Sequence, residues 1–277
     1  MLISTGLSER INDVNFQLTL PRSDPEYNSL FYTLGFKQDT NDDVDSKSIK
    51  VGVLSTSMRS HEWKRTLSFN YLQDTTKVEG SPITRSSLAL LGIQYSHVEA
   101  DNRLFPENGW RVRFEAEGAV DQLFSDATLL QLKAHGKYIQ KIGKGRFIAR
   151  TDFGTTFGDS LDDLPKDLRF FAGGNNSIRG FSYQSLGEVN IDNKIIGGKQ
   201  LIETSFEYEH PIVDKWSLSG FVDAGNAFDE FDLSNVEVGV GLGVRWHSPI
   251  GPIRFDIAQP VDDLSDTHLH LSIGPDL

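Results

Sequence analysis

The sequence predicts an all-β protein, an antiparallel β-barrel that spans a membrane, and three observations carry that expectation. Runs of roughly seven to 13 residues alternate between apolar and polar side chains. The two faces so defined differ, one being apolar and the other charged with both signs. Aromatic residues recur near the ends of the apolar faces. Successive side chains of a strand point to opposite sides, so each run has one face of each kind. A membrane barrel needs an apolar exterior, aromatic girdles and a polar lumen, in segments of about ten residues. A soluble sandwich or a lipocalin-like barrel also alternates; the charged second face and the rim aromatics favour the membrane form.

Expected strands run near 2–8, 13–20, 29–38, 48–58, 63–72, 87–98, 110–118, 127–139, 146–156, 167–173, 199–210, 216–228, 236–247, 253–260 and 267–274. Trp63 and Tyr71 mark the apolar face of the fifth. In the seventh, Trp110, Val112, Phe114 and Ala116 oppose Arg111, Arg113, Glu115 and Glu117. Leu130, Leu132, Ala134, Gly136 and Tyr138 then oppose Gln131, Lys133, His135 and Lys137. Phe147, Ala149, Thr151 and Phe153 stand against Arg146, Arg150 and Asp152. The clearest run sets Val236, Val238, Val240, Leu242, Val244 and Trp246 against Glu237, Gly239, Gly241, Gly243, Arg245 and His247. In the last, Leu269, Leu271 and Ile273 oppose His268, His270 and Ser272. These make about 15 strands, whereas bacterial single-chain barrels normally have an even number. No signal peptide precedes Leu2, so the chain is expected to start late and to lack a strand.

Composition read as an average points elsewhere. The 277 residues carry 27 basic and 39 acidic side chains, 27 − 39 = −12, and no cysteine. The acidic balance argues against a nucleic-acid or phosphate partner, and the missing cysteines exclude disulfides and thiolate metal sites. No stretch reaches the ~18 apolar residues of a spanning helix, and mean hydropathy is −0.33. Half of every barrel strand faces water, so that average hides the apolar exterior.

Residues 174–198 form a long connection rich in glycine, and loops of that length are usually functional or disordered. Around it lie Leu164-Pro165-Lys166-Asp167-Leu168-Arg169-Phe170-Phe171-Ala172-Gly173-Gly174 and Ser177-Ile178-Arg179-Gly180-Phe181. Phe221-Val222-Asp223-Ala224-Gly225-Asn226-Ala227-Phe228 follows, then the run from Gly239 to Trp246, Ser248-Pro249-Ile250-Gly251-Pro252-Ile253-Arg254-Phe255-Asp256, and Ile273-Gly274-Pro275-Asp276-Leu277. In this order the segments resemble the BamA/TamA superfamily of outer-membrane assembly barrels. The lead-in and the Gly-Pro-Asp-Leu end resemble its TamA branch. The close likeness covers about residues 160–277; upstream it is mainly one of strand spacing.

The resemblance implies a barrel of 16-stranded family architecture, lacking here its first strand and its amino-terminal POTRA domains. Loop 174–198 would fold into the lumen, with Ile178, Arg179, Gly180 and Phe181 as a latch and Asp223 and Glu207 as acceptors for Arg179. It implies bacterial outer-membrane localisation and a role in inserting or secreting autotransporter-type proteins through a lateral seam, with a TamB-like inner-membrane-anchored partner. The other partners would be substrate outer-membrane proteins and the surrounding outer-membrane lipid. No cofactor is implied.

The residues themselves leave alternatives. From spacing alone Arg179 reads first as a solvated loop residue, with the acids lining a wet lumen, and only the resemblance turns that reading toward a latch. Gly239, Gly241 and Gly243 share one face, which marks close approach by other backbone, here taken as room for the loop; their spacing is not that of a dinucleotide fingerprint. His268 and His270 share a face and invite a metal, but with no third ligand signalled they read as lumen lining. Asp42, Asp43 and Asp45 lack the glycine and distal glutamate of a calcium loop, and read as a solvated turn. The final run His268, Leu269, His270, Leu271, Ser272, Ile273 and Gly274 ends before Pro275, which cannot donate to a ladder; it is the expected gate strand. No nucleophile motif accompanies the histidines, so no enzyme is expected. A BamA-like general insertase and a two-partner secretion pore stay open, with a passive channel or an outer-membrane hydrolase more distant.

Overall fold

The computed structural model describes residues 2–7, 10–22, 24, 28–41, 43–59, 62–78, 83–102, 104–249 and 251–277. Fourteen strands form one antiparallel sheet. They are β1 (Leu2–Leu7), β2 (Ile11–Pro21), β3 (Asn28–Thr40), β4 (Val44–Met58), β5 (Lys64–Val78), β6 (Thr84–Ala100), β7 (Gly109–Ala119), β8 (Leu129–Ile142) and β9 (Gly145–Gly158), then, past the hairpin described next, β12 (Gln200–Val213), β13 (Trp216–Phe228), β14 (Glu237–Ser248), β15 (Gly251–Pro260) and β16 (His268–Ile273). β10 (Glu188–Val189) and β11 (Ile195–Gly197) make a small hairpin inside the long loop. Neighbours in the sheet are neighbours in sequence, with β9 followed by β12. Among the described residues β1 and β16 share no ladder, and they are the two edges.

Each of these fourteen was legible from its period of two. The strand expected at 167–173 is not one. Lys166–Leu168 form a 3-10 turn, and Phe170 and Ala172 make single bridges to Gly198 and Leu186. The alternation there has another cause: Leu168 is buried in an apolar cluster and Phe170 with its ring over Gly154, while their neighbours Asp167 and Arg169 make polar contacts.

The two faces separate as the parity requires. Leu242, Leu269, Leu271 and Ile273 lie on the outer surface at 72%, 65%, 60% and 59% exposure, where a bilayer would cover them. Rim aromatics gather at the end of the sheet that holds the short turns. Trp110 sits opposite Tyr138 and Trp216 opposite Trp246, the latter pair stacked with ring centroids 6.1 Å apart. Trp63 and Trp110 sandwich His97, at 5.3 and 4.7 Å. Tyr71 faces outward from mid-strand instead.

The inner face is polar apart from a few apolar spots. Leu72, Leu88, Leu90, Ala119, Ala127 and Leu129 form an apolar spot on the wall made by β5 to β8 and the β7–β8 connection, and Leu164 and Leu168 of the loop's lead-in pack into it. Residues of β3 and of β14 both reach this one long loop, so the sheet curls around it.

Candidate functional site: a loop anchored to two walls

The lead-in is held first by charge. Lys166 is 2% exposed, and its Nζ donates to Asp39 Oδ1 at 2.8 Å and to the carbonyls of Asp39 and Val44 at 3.1 and 3.2 Å. Lys37 Nζ reaches Asp167 at 2.9 Å and Asp39 at 2.7 Å, and Ser48 donates to Asp167 at 3.0 Å. Arg169 donates to the carbonyls of Leu164, Ile196 and Asp162, stiffening the lead-in itself. A buried charge persists only when paired and hydrogen-bonded; Lys166 and Asp39 meet that condition, while Arg169 is satisfied by carbonyls.

The tip is held on the opposite wall. Arg179 Nε and Nη2 donate to Asp223 Oδ2 and Oδ1 at 2.7 and 2.9 Å, a two-pronged pairing. Its Nη1 reaches Glu207 at 2.9 Å and Asp256 at 3.2 Å, and Nη2 reaches Ser205 at 3.3 Å. The guanidinium stacks on Phe221, 3.3 Å from the ring centroid. Burial alone would pull the arginine down, but bonding to Asp223 and the charges of Asp223, Glu207 and Asp256 hold it above the ordinary value. Arg245, 0% exposed, shares those acids: it donates to Glu207 at 2.7 Å and to Asp256 at 2.5 Å.

The structure therefore brings Arg179 together with Asp223 and Glu207, strand parity having set both acids on the inner face. Ile178 is fully buried beside Gly239, and Phe181 lines a cavity with His268 and His270. The three glycines divide their tasks. A side chain at Gly239 would overlap the Arg179 carbonyl, so there the loop backbone does lie on the strand. Gly241 makes room for the Phe221 ring, and Gly243 for Asp256 and Arg245. Gly180 takes φ of 99° against the backbone of Gln259 and Pro260, a conformation that favours glycine.

Sequence reasoning passed over Arg245, Asp256, Phe221 and Ser205, although each lies on the inner parity of its strand. It also took Asp43 for a solvated residue. Asp43 accepts from the Ile195 backbone at 2.9 Å and pairs with Lys194 at 3.2 Å, fastening the β10–β11 hairpin. Asp45 accepts from Thr40 at 2.9 Å, and Asp42 lies outside the described residues. His268 pairs with Asp266 at 3.1 Å, while His270 is bonded to the loop.

β16 ends at Ile273, and the residues after Gly274 turn inward. Asp276 accepts from Arg254 at 2.5 Å and pairs with Arg146 at 2.9 Å; Leu277 packs on Ile139 and Ile148. Burial pushes the Asp276 carboxyl up, but Arg146, Arg254 and Lys137 outweigh it and hold it below the usual carboxylate range.

An antiparallel barrel with an open edge, an apolar outer band and a loop pinned inside by arginine and lysine defines a class of membrane barrel. Residues 1–276 match the Omp85 superfamily domain. The chain belongs to the Omp85 superfamily and is a bacterial outer-membrane barrel. It is 22% identical over 276 residues to the outer membrane protein assembly factor BamA of Nitratidesulfovibrio vulgaris, covering 97% of this chain and 34% of the relative. It thus spans about a third of that relative's length. The fold resembles BamA from Haemophilus ducreyi lacking POTRA domains 1–3, with a TM-score of 0.81 and 18% identity over 97% of this chain and 62% of the other. CdiB from Escherichia coli matches at a TM-score of 0.57 and 12% identity, over 94% and 52%.

Proposed function

We propose that this barrel helps insert or secrete other outer-membrane proteins at a seam along β16. The observation that carries the reading is an edge strand with no ladder on its outer side among the described residues, backed by a loop anchored within. In lipid an unsatisfied backbone group costs several kcal/mol. A nascent strand that pairs with such an edge relieves both partners, by the backbone pairing of strand-addition complexes.

The lead-in from Leu164 and the closing Gly274-Pro275-Asp276-Leu277 favour a TamA-like role with autotransporter-type clients and a TamB-like partner. The similarity to assembly factors named BamA favours a general insertase just as well. In cells carrying the complete gene, a photo-crosslinking side chain at Leu269 or Leu271 separates these readings. Adducts confined to autotransporters support the first, and adducts with many barrels the second. No adduct with any nascent outer-membrane protein, together with steady conductance in a planar bilayer, sinks both in favour of a passive channel.

A further inference from the structure

The ladder tells which backbone groups of β16 face the open side. In an antiparallel pair, residues that exchange hydrogen bonds with the partner alternate with residues that do not. The Gly274 N–H donates to the Pro252 carbonyl at 3.3 Å, and the register steps without a shift from Ile253↔Ile273 to Ala258↔His268. Ser272, His270 and His268 therefore bond toward β15. Leu269, Leu271 and Ile273 turn their N–H and C=O groups to the open edge.

One of those edge acceptors is already taken. Asn175 Nδ2, from the loop, donates to the Leu271 carbonyl at 3.0 Å. Asn175 Oδ1 meets His270 Nδ1, and the Gly180 N–H donates to His270 Nε2 at 3.3 Å. A backbone N–H only donates, so Nε2 accepts and Nδ1 carries the ring proton toward Oδ1. That tautomer turns the amide's NH2 group toward Leu271. A continuous set of bonds thus runs from Gly180, next to the Arg179 latch, to the rim of the edge strand.

We propose that Asn175 guards the seam: its amide occupies the Leu271 carbonyl that the N–H of an incoming strand would take, and it must withdraw before strand addition proceeds along β16. This rests on the seam reading above. Room for withdrawal exists in the adjoining cavity of about 610 Å³, lined by Asn175, Ser177, Glu203, His268 and His270 among others.

The chain has no cysteine, so a Leu269→Cys substitution reports the edge alone. The whole chain, folded in phospholipid vesicles, is exposed to a ten-residue peptide of alternating leucine and threonine whose one cysteine is carried as a mixed disulfide with 2-thiopyridine. The thiolate introduced at position 269 attacks the peptide sulfur, pyridine-2-thione leaves, and its release is timed. Asn175→Ala and Asn175→Asp are each expected to react roughly two- to tenfold faster, the worth of one exchanged hydrogen bond. The aspartate keeps the size and the oxygen facing His270 but has no N–H to give Leu271. A rise with alanine and none with aspartate assigns the effect to packing and overturns the guard. Equal rates in all three also overturn it, while the adduct itself upholds the open edge. No adduct in any of them, with each shown folded by its heat-shifted gel band, overturns the seam reading and the guard together.

Discussion

Replacing Arg179 with alanine removes five side-chain hydrogen bonds, two of them to Asp223, whose own exposure is 0%. Two arginines, Arg179 and Arg245, face three acids, Asp223, Glu207 and Asp256. The local balance moves from 2 − 3 = −1 to 1 − 3 = −2. Removing one partner of a buried pair typically costs about 3–5 kcal/mol, because the other charge stays desolvated. Release of the tip lets water reach the acids, so that range is a ceiling. At about 2–4 °C per kcal/mol for a domain of this size, the melting point falls by roughly 6–20 °C at most. Arg179→Lys keeps the charge and loses the fork, and falls between the two. The assay is heat-modified migration on gels after refolding in lipid, with protease cleavage of loop 174–198 as the local readout. In an Asp223→Asn background the Arg179→Ala penalty shrinks by more than about 1 kcal/mol, since the orphaned charge is gone. An Arg179→Ala barrel that melts with the wild type and keeps its loop protected would refute the electrostatic account.

Leu164→Ala empties a fully buried site in the apolar spot and is expected to cost about 2–5 kcal/mol in urea titrations; an unchanged midpoint would mean that the lead-in does not seat there. Leu242→Arg puts a charge at the middle of the outer face of β14, and is expected to cost about 2–4 kcal/mol in bilayers, with little effect in a short-chain detergent. Asp276 binds its proton less readily folded than unfolded, so its contribution is full above the ordinary carboxylate pKa and fades as pH falls through its depressed value. Wild-type stability should therefore drop more than that of Asp276→Asn on acidification below about pH 4, and parallel curves would count against the tail contacts.

Period two made the strands legible because it is a property of the backbone, independent of what each face meets. The same logic set Asp223 and Glu207 inside, and the resemblance supplied Arg179 as their partner. Parity stopped short at the lead-in, where Leu168 and Phe170 alternate with charged neighbours yet never join a sheet. Leu72, Leu88 and Leu90 were hidden too, since apolar residues on an inner face look like slips until Leu164 and Leu168 arrive to cover them. Asn175 gives no signal in a glycine-rich loop; its meaning depends on which way the Leu271 carbonyl points, and that is fixed by the ladder with β15.

The two anchors of the loop lie on opposite sides of it in the order of the chain. Asp167 and Lys166 bind Lys37 and Asp39, 130 and 127 residues upstream. Arg179 binds residues 28, 44 and 77 positions downstream. A chain delivered from its amino end can therefore seat the lead-in once β3 to β8 have formed. The tip then stands ready as a template on which β12 to β15 arrange their acids. Long-range pairing is slow because distant segments must first find each other. Here the search for the second half of the sheet begins from a fixed point inside the first.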